Sequence, residues 1–119
     1  MLFRSQYSAT VPVSEVPKTA TYTHAYAESN GFLTLLSDGE RLTGAYGLGP
    51  EAGEWMQQAT LAIRARVPVT VLNDTIQPFP SFSGIYSAAV QCLVMNIKDM
   101  PQPMRPMDAQ MANVPVTTK

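Results

Sequence analysis

Residues 41–74, RLTGAYGLGPEAGEWMQQATLAIRARVPVTVLND, decide how this chain is read. Ala52, Trp55, Met56, Ala59, Ala62 and Ile63 recur at steps of three and four, which lines them along one face of an α-helix. Gln57, Gln58, Thr60 and Arg64 fall off that face. Pro50 suits a first helical position, and Glu51 and Glu54 put negative charge where the helix dipole favours it. Arg64 and Arg66 close the other end, and Val67-Pro68 stops the helix. A strand is expected before it, Arg41 to Tyr46, and another after it, Val69 to Leu72, turning at Asn73-Asp74.

Upstream, Asp38-Gly39 between two apolar runs is a strong hairpin signal, because both residues tolerate positive φ. It joins a strand from Phe32 to Leu36 to the one that begins at Arg41. Ser29-Asn30-Gly31 is a further turn, and Thr19 to Ala27 alternates Ala20, Tyr22, His24 and Tyr26 against threonines, the pattern of a half-buried strand. Leu2 to Val13 alternates more weakly and reads as a weak strand or extended arm ended by Pro12 and Pro17. Downstream, residues 76–83 (IQPFPSFS) form a proline and aromatic loop. The apolar run from Ile85 to Ile97 has Tyr, Val and Ile near its ends and is flanked by Gly84 and Pro101; it reads as a long central strand, with a helix as the other solution. From Lys98 the prolines at 101, 103, 106 and 115 forbid a continuous element, although a short helix from Met107 to Asn113 fits after Pro106.

Composition narrows the function classes. The 119 residues allow one domain. Charged residues make up only 14%, against about 25% in an average soluble domain, and so sparsely charged a surface is expected to be covered by other subunits. A formal net charge of -1 with no basic run leaves no patch to neutralise nucleic-acid phosphates. No apolar run approaches the length of a membrane span, and no secretory leader follows Met1.

The turn Gly47-Leu48-Gly49-Pro50-Glu51-Ala52-Gly53 resembles the flavin or nicotinamide dinucleotide fingerprint in a GxGPxxG form, with Asp74 near the place of the ribose-binding acid. The resemblance would make Gly47, Gly49, Gly53 and Asp74 cofactor-binding residues of a small nucleotide- or ligand-binding domain. Against it, Leu42 to Tyr46 lacks the Val/Ile run of a buried parallel strand, the preceding hairpin is antiparallel, and Glu51 and Glu54 would repel a pyrophosphate. No second βαβ unit follows Asp74. The turn is therefore read as a strand-to-helix connection, with no cofactor expected. His24 is the only histidine and Cys92 the only cysteine; they cannot fill a zinc site and have no partners patterned for acid–base or nucleophilic chemistry, so neither a metal nor a catalytic residue is expected.

These features lead to an α+β domain: an antiparallel sheet of about five or six strands with one amphipathic helix packed on it, spanning residues 18–99, and extended arms at 1–17 and 100–119. The expected function is that of a non-enzymatic structural subunit of a large assembly, a virion capsid, cement or head/tail protein assembled in a host cytoplasm. Its partners would be copies of itself and other subunits of the assembly. Leu2, Phe3, Tyr7, Phe79, Phe82, Met100, Met104, Met107 and Met111 are the expected interface residues, with methionines supplying adaptable contacts.

Overall fold

A computed structural model describes residues 6–16, 18 and 30–99. Among them are three strands, β1 (Tyr7–Pro12), β2 (Phe32–Ser37) and β3 (Leu42–Leu48), and three helices, α1 (Ala52–Arg64), α2 (Val69–Asn73) and α3 (Ile85–Asp99). The strands form one antiparallel sheet in the order β1-β2-β3. The expected strand at Thr19–Ala27, the interface residues Leu2 and Phe3, and the tail from Met100, with its Met107–Asn113 helix, lie outside the described residues.

The hairpin expected at Asp38-Gly39 forms, and side chains hold it. The Asp38 carboxylate accepts from the backbone N–H groups of Glu40 at 2.8 Å and Arg41 at 2.9 Å. The Ser37 hydroxyl donates to the Arg41 carbonyl at 2.8 Å while accepting from the Gly39 N–H. Gly39 has a φ of 105°, which a side chain would oppose. Burial raises the pKa of Asp38, but the hydrogen bonds from Arg41, Glu40 and its own N–H, together with the Arg41 charge, outweigh that and leave it below the usual carboxylate value.

Sheet register explains which face is core. Tyr7, Ala9 and Val11 of β1 stand beside Ser37, Leu35 and Leu33 of β2, and all six are buried. That face packs on α1 and α3. Trp55, Ala59 and Ala62 of α1 meet Ile85, Tyr86, Ala89, Val90 and Leu93 of α3 in one hydrophobic core. The buried Tyr86 hydroxyl donates to the Trp55 carbonyl at 2.6 Å, tying α3 to α1. Burial pushes this phenol up to about 12, against a smaller lowering by the Ala59 backbone, so it stays protonated at ordinary pH.

Four expectations are corrected. The sheet has three strands among the described residues, not five or six, and three helices accompany it, not one. Ile85 to Ile97 is helical: Ile85, Tyr86, Ala89, Val90 and Leu93 are buried, a spacing of one helical face, while the exposed Ser87 and Gln91 fall four apart on the other side. Val69 to Leu72 is the short helix α2, with Val69 and Leu72 buried three residues apart; an isolated bridge between Arg41 and Pro68 is the nearest approach to a strand there. Residues 7–12, read as a weak strand or an arm and placed outside the domain, are a strand of the chain's own sheet, because alternate side chains have core to enter.

Candidate functional site

The glycine turn is closed by the chain's own core. A Cβ on Gly47 would lie 3.0 Å from the Met56 sulfur and 3.1 Å from both the Phe32 carbonyl oxygen and the Trp55 ring. One on Gly49 would lie 3.1 Å from Val13. These glycines exist so that α1 can approach the sheet, and Trp55 Nε1 donates to the Pro50 carbonyl at 2.7 Å directly beneath the turn. Glu51 takes a left-handed conformation (φ 57°) as the residue preceding α1, so the helix begins at Ala52 and Pro50 lies in the turn. Gly53 is exposed on the first turn of α1, and Asp74 is exposed at the end of α2, not at the end of a strand.

The surface that calls for a function lies between α2 and α3. From Thr75 to Ile97 the sequence contains no Asp, Glu, Lys, Arg or His, yet Ile76 is 92% exposed, Phe79 72% and Met95 59%. Both ends of the loop are pinned. The Thr75 hydroxyl donates to the Val71 carbonyl at 2.7 Å, the Ser81 hydroxyl donates to the Pro78 carbonyl, and the Gly84 N–H donates to the Ser81 carbonyl. Phe82 is sunk into the core, and the Lys18 ammonium lies 5.0 Å from its ring centre. Outward-pointing Ile76 and Phe79 are thus carried on a loop fixed from inside. Beside them a cavity of about 330 Å³ is lined by Pro78, Phe79, Gly84, Ser87, Ala88 and Gln91, and Ser87, Ala88, Gln91 and Met95 continue it along the exposed face of α3.

This patch has little proton chemistry to offer. Its span holds only two ionisable side chains, Tyr86, buried and hydrogen-bonded, and Cys92, half-buried. Among the described residues no group of three or more His, Cys, Asp or Glu side chains is placed to hold a metal. No described helix is long and apolar enough to cross a membrane. What the patch supplies is apolar surface and shape. Of the expected interface residues, Phe79 stands on it, whereas Tyr7 and Phe82 are buried in this chain's own core and Met100, Met104, Met107 and Met111 lie outside the described residues. Sequence reasoning passed over Ser87, Ala88 and Gln91; the signal was the uncharged run itself, read with helical periodicity.

Comparison with known proteins supplies the context. Residues 4–90 match the family described as pyridine nucleotide-disulphide oxidoreductase, dimerisation domain. A mercuric reductase of Acidithiobacillus ferrooxidans is 32% identical over 95 residues, 78% of this chain and 17% of the relative. A mercuric reductase of Serratia marcescens is 33% identical over 95 residues, 78% of this chain and 20% of the relative. A dihydrolipoyl dehydrogenase of Chlamydia muridarum is 29% identical over 79 residues, 65% of this chain and 17% of the relative. The chain therefore spans a fifth or less of the length of these relatives. The expectation of a non-enzymatic virion subunit, with its capsid or phage role and its virion location, is overturned by this match to an oxidoreductase family. Self-association is what the family's description assigns, and other subunits of an assembly find no support. At the glycine turn a Cβ on Gly47 would meet Met56 and Trp55 and one on Gly49 would meet Val13, so the turn is packed against the chain's own core. The chain belongs to the pyridine nucleotide-disulphide oxidoreductase dimerisation-domain family.

Proposed function

We propose that this chain is the self-association module of a pyridine nucleotide-disulphide oxidoreductase, and that residues 75–81 with the outer face of α3 form the surface it turns to a second copy. The observation that carries the reading is the uncharged stretch from Thr75 to Ile97, which nevertheless exposes Ile76, Phe79 and Met95. Exposed apolar area without interspersed charge marks a surface that a partner covers, and depletion of charge with large apolar anchors is the composition of interface cores. The family's description as a dimerisation domain supports a second copy as the partner, and a dimer places the same patch on both subunits.

The redox chemistry of such an enzyme would come from outside this span. An intrachain disulphide needs two thiols, and the sequence holds only Cys92. In this reading the module brings two subunits together, as the family's description as a dimerisation domain supports, within relatives of which it covers a fifth or less. Sedimentation equilibrium tests it. The chain is expected to be dimeric, and Ala88→Arg, which introduces a charge on the exposed face of α3, is expected to weaken the dimer about a hundredfold, equivalent to about 2.7 kcal/mol. A wild-type chain that stays monomeric at its highest soluble concentration, or a dimer indifferent to Ala88→Arg, contradicts the assignment.

A further inference from the structure

A second cavity, of about 440 Å³, lies at the opposite end of α3. Its apolar lining comes from three elements: Gly39 of the hairpin, Pro68 and Val69 at the start of α2, and Val94 and Ile97 in the last turns of α3. Val69 is only 3% exposed and forms part of the floor, while Val94 and Ile97 pack on the core from the side. The volume is within the range that encloses a drug-sized ligand, about 300–1,000 Å³. Among the described residues three charged side chains also line it, and they do not cancel. Arg41 and Glu40 satisfy each other, the guanidinium Nη1 lying 3.2 Å from the carboxylate, and Arg41 Nε is engaged by the Arg66 carbonyl at 2.9 Å. Lys98 has no ion-pair partner among the described residues. We infer that this cavity binds an aliphatic monocarboxylate, with its chain along Val69, Val94 and Ile97 and its carboxylate at the Lys98 ammonium.

The chemistry of the walls selects that class. Valine, isoleucine and proline side chains offer no hydrogen bond, so a polar ligand body would lose its water without replacement. An aliphatic chain loses nothing there, and each methylene it buries tightens binding about fourfold. The ammonium supplies the second requirement, because one uncompensated cation balances one carboxylate. A phosphate monoester or a dicarboxylate would bring a second negative charge to a rim whose other cation is already paired with Glu40. Thr70, exposed at the start of α2, adds a hydroxyl donor to the same lining. The flexible stem of Lys98 lets its head follow the carboxylate as chain length changes. Residues 75–81 and the cavity beside Phe79 take no part, so this site does not rest on the proposed dimer.

Titration of the full chain with hexanoate, octanoate and decanoate, each below its micelle concentration and followed by amide chemical shifts, tests the site. Shifts are expected at residues 69–70 and 94–98, with affinity rising about fourfold per added methylene. Octanol, which has the chain without the charge, is expected to bind about fivefold more weakly than octanoate. Lys98→Gln, at an exposed position, is expected to bring octanoate down to the level of octanol, and Lys98→Arg to restore the difference. Thr70→Trp, which fills the cavity from an exposed position, is expected to remove the gain with chain length. No binding by any of the three carboxylates, equal affinity across the series, shifts centred on residues 75–91, or an octanoate affinity indifferent to Lys98→Gln each overturns the inference. None of these readouts depends on the dimer, so the two readings can fail separately.

Discussion

The turn from β3 into α1 and the loop from α2 into α3 invite opposite mistakes. The first, Gly47 to Gly53, carries the residue types of a cofactor site, and all of its special features are consumed internally: two glycines pressed against Trp55, Met56, Val13 and a backbone carbonyl, and a proline carbonyl held by the indole. The second, Ile76 to Ser83, looks like filler, yet it presents two of the most exposed large apolar side chains among the described residues on a backbone fixed by side-chain hydrogen bonds. A glycine motif says that backbones come close, not what they come close to. Exposed apolar bulk without charge says more about function than a match to a short pattern.

The largest effect expected on the internal side of this contrast is at Leu93, which has no exposed surface and joins α3 to the core. Leu93→Ala should cost about 2–5 kcal/mol in urea denaturation, and a loss below about 1 kcal/mol would mean that α3 is not packed as described. Next comes a pair of glycines that separates packing from ligand binding. Gly47→Val should cost about 1–3 kcal/mol because the Phe32 carbonyl cannot yield, whereas Gly53→Ala meets nothing within 4 Å and should gain up to about 1 kcal/mol. If both substitutions leave thermal stability unchanged but abolish binding of a nucleotide, the turn is a site after all.

Tyr86→Phe should lower stability by about 1–2 kcal/mol, since the Trp55 carbonyl loses its buried donor; an unchanged midpoint would mean that this bond does not tie α3 to α1. The smallest effect is at the hairpin. Asp38 has a lowered pKa in the folded chain, so its contribution is present above the unfolded carboxylate value and lost as pH falls through the folded one. Asp38→Asn should therefore flatten the acid limb of the stability–pH curve, and wild-type and variant curves should converge at the lowest pH. Parallel curves would show that Asp38 does not hold the hairpin through its charge.

How much of this was legible in the sequence depended on whether local chemistry and tertiary packing agreed. At Asp38-Gly39 a turn-forming pair sits between apolar runs and the hairpin follows, because the signals are local. In α1 the spacing of Trp55, Ala59 and Ala62 marks the buried face directly. At Ile85 to Ile97 the β-forming Tyr, Val and Ile misled, while Ser87 and Gln91, four residues apart, carried the helical period. At Val69 the β-branched run Val69-Thr70-Val71 was overruled by a proline that starts a helix and by burial three residues apart. Tyr7, Ala9 and Val11 were visible as an alternating strand, but a sequence does not say whether an alternating edge pairs with its own sheet or with a neighbour's. The self-association patch was hidden for a related reason: nothing in residues 75–97 distinguishes an apolar side chain turned to the core from one turned to a partner until the helix phase is known.

Hydrogen exchange at two protein concentrations, one above and one below the dimer's dissociation constant, tests the central contrast most directly. The amides of residues 75–81 and 87–91 are expected to gain protection as concentration rises, while those of the Gly47–Gly53 turn stay unchanged. Equal protection of residues 75–81 at both concentrations, with the gain appearing at the turn or on the sheet's outer face, would contradict it.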